Sequence, residues 1–284
     1  MSIRPQDLPE LRAEVREQMA ITKLIEPLFE GPANRAADLA ELTSIFQAAI
    51  DAVTLFHVTA PMTELVCTAS ESLELFTPDR DDLPSPGGMV IFDGRIPKKI
   101  RFEDGCTTYL RGALWFTHSE RPELTIMPIA EPHDGIQVPG RLVAYPFAYF
   151  GAVLGKKMHA NTADSALWNV DIVSLLLTTW LLMKQPLAED AEVQPDRAAR
   201  RRLRRAGHEP APVRVIELRR PKTSGHANSE SNREYHHRWI TRGHWRQQWH
   251  PKRQLHRPVW IAPHIKGPEG APLIGGEKVY ALKR

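Results

Sequence analysis

At 284 residues, 42% apolar and 25% charged, the chain has the composition of a soluble globular protein of about two domains. Its two cysteines, Cys67 and Cys106, are too few for a disulfide scaffold and lack metal-ligand spacing. The net charge of +3 conceals two opposed balances: residues 1–193 hold 16 Lys+Arg against 27 Asp+Glu (−11), and residues 194–284 hold 21 against 7 (+14).

That asymmetry implies a polyanion partner for the basic part, or a basic tail that docks on the acidic domain of its own chain, or both. The N-terminus, MSIRPQDLPE, has no apolar core flanked by a cleavage site, so a cytoplasmic protein without a secretory signal is expected.

The first sixty residues read as helical. Leu8, Leu11, Val15 and Met19, then Leu24 and Leu28, recur at spacings of three to five, and Pro27 with Gly31 and Pro32 marks an end. A second helix is expected over about 34–59, its apolar face made by Leu39, Leu42, Ile45, Phe46, Ala49, Ile50 and Val53. Pro61 breaks it, and a third helix follows around 63–75. The turn-rich 78–88 segment leads into a short buried strand at 89–93. Further strands are expected at 107–117, 124–129 and 141–150, rich in β-branched and aromatic residues.

Asp164 and Ser165 offer an N-cap for a helix reaching about Pro186, apolar almost all round and therefore central. Its longest apolar run, 172–183, is about twelve residues interrupted by Ser174, Thr178 and Thr179; a membrane span needs about twenty. This order gives an α+β domain over residues 1–188, N-terminal helices plus a mixed or antiparallel sheet. It carries no GxxxxGK[ST], no GxGxxG after a strand and no HExxH. Cys106, with His118 and His133 downstream, reads as a buried structural cysteine.

Residues 189–207 form an acidic-to-basic connector. Between Asp196 and Gly207 stand six arginines; in a helix, Ala199, Leu203 and Ala206 make one narrow stripe, the arginines surround it, and Gly207 is the stop. So small a stripe needs a partner. Residues 208–284 read as a small antiparallel β domain. It has a strand at 213–220, a polar loop at 222–232, the stretch WITRGHWRQQWH (239–250), a turn at 251–254, a return strand at 256–263 and a last strand at 278–282.

Taken as one strand, 236–250 alternates between two faces. Arg238, Ile240, Arg242, His244, Arg246, Gln248 and His250 share one; Trp239, Thr241, Gly243, Trp245, Gln247 and Trp249 share the other. On the return strand Trp260 joins His256 and Pro258, and Arg257 joins Val259. The tryptophans, Trp239, Trp245, Trp249 and Trp260, are then a candidate core. Single-strand nucleic-acid binders mix aromatics and cations on one surface, and this alternation separates them unless Gly243 bulges and swaps the parity.

The cationic face suits phosphate, which Arg contacts with paired donors, and no acid interrupts it between Glu234 and Glu269. Candidate contacts are Arg238, Arg242, His244, Arg246, His250 and Arg257, with Arg200, Arg201, Arg204 and Arg205 of the connector helix. His244 between two arginines is also the candidate acid/base of a metal-independent ribonuclease, although Glu234 is the one nearby carboxylate. A zinc site from His236, His237, His244 or His250 lacks cysteines and the usual spacing, so neither metal nor cofactor is expected.

Arg242 to Arg246 (RGHWR), then Trp249, Arg257, Trp260 and Pro263, resembles the GHW-x3-W … R-x2-W-x2-P signature of the type V-A anti-CRISPR-like family whose characterised member acts on effector biosynthesis, with uncharacterised phage and bacterial relatives. The segment 82–87 leading into 90–93 is similar to a further shared stretch. In that family the anti-CRISPR member recognises the nascent N-terminal segment of its target and triggers loss of the encoding mRNA. The resemblance therefore implies an RNA- or translation-linked regulator, with RNA or a ribosome-borne nascent chain as partner and no catalytic residues to transfer. Three readings stay open: a binding module for RNA or translation, a metal-independent ribonuclease, and a partner-binding protein whose basic tail covers its own acidic domain.

Overall fold

Leu8, Leu11 and Val15 recur at helical spacing and are fully buried along one side of α1 (Leu8–Gln18). Pro9 sits in its first turn, where a missing N–H breaks no intrahelical bond. The computed structural model describes residues 3–21, 35–74, 78–94, 96–97, 99–101, 107–117, 123–132, 138–145, 150–154, 170–219, 236–268 and 270–273. They fall into two units, Met1–Arg219 and Arg220–Arg284. Leu24, Leu28, Cys106, His118, His133, the cap at Asp164 and Ser165, the loop 222–232, Glu234 and the strand expected at 278–282 lie outside the described residues.

In the first unit α2 (Arg35–Asp51) follows α1. Arg12 joins three parts of the chain, donating to the carbonyls of Asp51 at 3.2 Å and Glu209 at 2.6 Å. Burial lowers the Arg12 pKa from its ordinary value, against the opposing charge of Asp51, and the two carbonyls replace water it has lost.

The helix expected over about 34–59 ends at Asp51, and Thr54–Val58 is instead the strand β1. Leu55, Phe56, His57 and Val58 are all buried, as befits a strand covered on both faces. β1 lies between two parallel partners: β2 (Gly87–Phe92), reached through α3 (Ala60–Ser70), and β9 (Val213–Leu218). Beyond β2 come the antiparallel β4 (Thr107–Thr117), with the short β3 (Lys99–Arg101) beside it, and β5 (Glu123–Ala130). β6 (Val143–Ala144) and β7 (Phe150–Val153) both pair with β5, so the strand expected at 141–150 is two short ones. With β8 (Ala188–Val193) at the far edge, the order is β6-β5-β4-β2-β1-β9-β8, a mixed sheet that gives the α+β class.

Each face of the sheet has its own packing. Leu55, Met89, Ile91, Leu114, Met127 and Val213 pack with Leu8, Leu11 and Val15 of α1 and with Ile50 and Val53. Phe56 and Trp115 project to the opposite side, stacked at 5.5 Å, and Trp115 meets Trp180 of α4 (Val170–Met183) edge-on at 5.3 Å. Among the described residues no helix is long and apolar enough to cross a membrane.

Residues 188–219 belong to this first unit, so the division falls at 219/220 rather than at 188/189. The acidic connector is β8 (Ala188–Val193), paired antiparallel with β9 along its whole length. Its charges stand in solvent because it is an edge strand, where charge discourages pairing with other chains. The arginine-rich segment forms α5 (Arg197–Arg205), between β8 and β9 in the chain.

Among its described residues the second unit has four short strands. β10 (Trp239–Thr241) pairs with β13 (His264–Lys266), and β11 (His244–His250) pairs with β12 (Leu255–Ile261), all antiparallel. The single strand expected over 236–250 is therefore divided at Arg242 and Gly243 into two strands of separate sheets.

Candidate functional site

Two cationic surfaces carry the expected contacts, one in each unit. The first is α5. Asp196 caps it, its carboxylate accepting from the Ala199 N–H at 2.7 Å. At the other end Gly207 has φ +80°, and the N–H groups of His208 and Gly207 donate to the carbonyls of Leu203 (2.9 Å) and Arg204 (3.1 Å). Ala199 and Leu203 are buried, whereas Ala206, expected on the same stripe, is exposed.

Arg202 donates to Glu10 of α1 at 2.8 Å, and that acid raises its pKa further. His208 beyond the helix lies 3.3 Å from Glu17, and Arg214 of β9 pairs with Asp190 of β8. Pairing with carboxylates of the same unit therefore accounts for these side chains. It does not account for Arg197, Arg200, Arg201, Arg204 and Arg205, which are exposed and make no ion pair among the described residues. At about 100° per residue they cover an arc of roughly 140° opposite Ala199 and Leu203. Arg197 was absent from the residues picked out by sequence, where nothing separates it from Arg202.

In the second unit the register of β11 and β12 places Trp245 opposite Trp260, Gln247 opposite Pro258 and Trp249 opposite His256. The other face holds His244 with Ile261, Arg246 with Val259, Gln248 with Arg257 and His250 with Leu255. The expected separation of tryptophan from His244 and Arg246 holds along this hairpin. Burial divides it differently, along the strands. Trp260 and Pro258 are buried and Trp245 is half-buried, with Trp245 and Trp260 edge-on at 5.3 Å. Trp249, toward the turn, is 46% exposed and so is not core. Trp239, half-buried in the other small sheet, lies 5.8 Å from the His237 ring.

Gly243 serves close packing at the break between the strands. A β-carbon there would lie 2.4 Å from Cζ2 of Trp260 and 3.1 Å from Cδ of Pro263. Gly243, Trp260 and Pro263 thus meet at one point.

The cations of this unit do not form one uniform face. Arg257 is buried at 6% exposure, which removes it from the exposed contacts although its position opposite Gln248 puts it on the face of Arg246. Arg238 is half-buried, and its Nε donates to the Ala271 carbonyl at 2.8 Å, holding the chain near its bridge to Leu273. His250 is half-buried. Arg242, His244 and Arg246 are exposed, with Arg246 donating to Gln248 Oε1 at 2.7 Å. Lys252, Arg253 and His256 are exposed as well. The sequence showed these three as a turn and a strand start, without signalling that they share the hairpin's turn end with Trp249.

His244 Nδ1 lies 3.1 Å from the Arg242 carbonyl. A carbonyl only accepts, so Nδ1 carries the proton and Nε2 is the basic nitrogen of the neutral ring. Among the described residues no carboxylate hydrogen-bonds to it. Nor does any group of His, Cys, Asp and Glu among them have the arrangement of a metal site.

No family model matches the chain, and neither does any curated protein. Among solved structures, a crystal structure of AcrVA2 is similar with a TM-score of 0.41 and 12% identity, over 88% of this chain and 85% of that one. At that degree of likeness no residue role passes from one protein to the other.

Proposed function

We propose that this chain binds a polyanion, RNA foremost, through the exposed arginines of α5 and the Arg242, His244 and Arg246 group of the second unit. The observation that carries the reading is the α5 surface. Capping and the burial of Ala199 and Leu203 fix the helix, while Arg197, Arg200, Arg201, Arg204 and Arg205 stand in solvent without a counter-charge among the described residues. A solvated helix face ordinarily mixes signs. Five guanidinium groups on one face instead make an array of like charge, and Arg supplies paired donors for each phosphate contact.

Such binding is weakly sequence-specific and set by counterion release. The fitting cellular role is regulation of an mRNA or of its translation, as the resemblance of the Arg242–Pro263 signature implies. Binding of the full chain to a single-stranded RNA should weaken steeply with salt, by about 0.7 in log K per log salt for each phosphate neutralised. Replacing all five α5 arginines by Gln should reduce that slope by several such contacts. Affinity indifferent to salt, or to the five substitutions, overturns the reading.

A further inference from the structure

We propose that Trp249 and His256, at the turn end of the β11–β12 hairpin, form a stacking platform for an unpaired nucleobase. The proposal deepens the polyanion reading and rests on it. Trp249 is 46% exposed, while its signature companions Trp245 and Trp260 are half-buried and buried. The register sets His256 directly across from it, the two rings 5.0 Å apart and tilted by 55°. His256 and Gln247, on the same face, are also exposed. The two rings are as close as those of Trp245 and Trp260, but here both residues are exposed, so an indole and an imidazole face solvent.

The surroundings select the occupant. The turn Pro251–Gln254, which joins the strand of Trp249 to that of His256, is exposed throughout and carries Lys252 and Arg253. Between Glu234 and Glu269 the sequence has no acid, against seven Lys+Arg and six His from 236 to 268. Aromatic faces bordered by cations suit a strand whose bases are free to stack while its phosphates are neutralised. Gln247 adds an amide able to donate to and accept from a base edge. A duplex keeps its bases stacked on one another and offers the rings nothing.

The test compares the full chain with its Trp249→Ala and Trp249→Phe variants. Each is titrated with a single-stranded RNA, a duplex RNA of the same length, and heparin as a polyanion without bases. The expected result is a preference for the single strand, lost about tenfold or more in Trp249→Ala and largely kept in Trp249→Phe, with heparin binding unchanged in both. Because Trp249 is exposed, circular dichroism should show all three proteins equally folded. Unchanged single-strand affinity in Trp249→Ala overturns the platform while leaving polyanion binding intact, and leaves the exposed indole to a protein partner. Binding to neither RNA nor heparin at low salt overturns the polyanion reading and the platform with it.

Discussion

His57 is 3% exposed on the central strand, where its Nε2–H donates to the Ile3 carbonyl at 2.8 Å. Nδ1 then holds a lone pair and is buried without a hydrogen-bond partner. Protonation would place a charge and a second N–H there with no acceptor. Burial accordingly lowers the His57 pKa, outweighing the Ile3 carbonyl and the charges of Asp93, Asp7 and Glu217, which raise it. Below about pH 6.5, the ordinary value for His, the unfolded chain binds the proton and the native chain does not. Stability therefore falls as pH drops, by at most about 1.4 kcal/mol per unit from this group, until the native pKa is reached. Denaturant titrations at pH 7.5, 6.5 and 5.5 should show a shallower acid loss for His57→Leu than for the parent; equal slopes would show that His57 does not cause it. Nothing in the sequence marks His57 this way, because its environment comes from β1, β2, β9 and the N-terminal segment together. Gly243 is a similar case. Its place between Arg242 and His244 is plain in the sequence, but the reason for it, the Trp260 ring lying against its α-carbon, is visible only in three dimensions.

Helix α5 shows what can be read at the scale of an element. Its stop at Gly207 and its buried Ala199 and Leu203 follow from local chemistry and appear where the spacing places them, whereas Ala206 of the same stripe is exposed. β1 and β8 behave otherwise. Leu55, Phe56 and Val58 prolong the apolar pattern of α2, and a short buried run does not by periodicity alone distinguish helix from strand. β8 has only small apolar side chains, Ala188, Ala191 and Val193, and its pairing with β9 makes it a strand. The same contrast sets the energetics of α5. Leu203 is 3% exposed and anchors the arginine face, so Leu203→Ala should cost about 2–5 kcal/mol locally, against about 1 kcal/mol for Asp196→Ala. Hydrogen exchange across 197–205 reads both changes. Equal protection in the Leu203 variant and the parent would mean that the helix does not depend on that anchor. Loss of RNA affinity in step with loss of protection would tie binding to the fixed helix rather than to charge alone.

At the scale of the molecule, the charge asymmetry is legible in the sequence but its boundary is not. The shift from acidic to basic near residue 194 falls inside one unit, because β8 and α5 precede β9 in the chain while β9 supplies a neighbour of the central strand. Charge follows what each segment meets at its surface; the division into units follows hydrogen bonding and burial, which ignore it. A chain ending at residue 219 keeps all seven strands of the main path and the Arg12 tie to Glu209. A chain ending at residue 188 loses β8 and β9, exposing a paired edge of β1 next to Phe56 and Val58, with Val213, Val215 and Ile216 no longer there to cover it. Unpaired, apolar strand edges template association. The 1–219 chain should therefore be monomeric on size exclusion with a cooperative thermal transition, and the 1–188 chain should aggregate or lack that transition. If both chains behave alike, β9 is an accessory to a sheet that folds without it, and the arginine helix is then a detachable arm rather than part of the body that presents it.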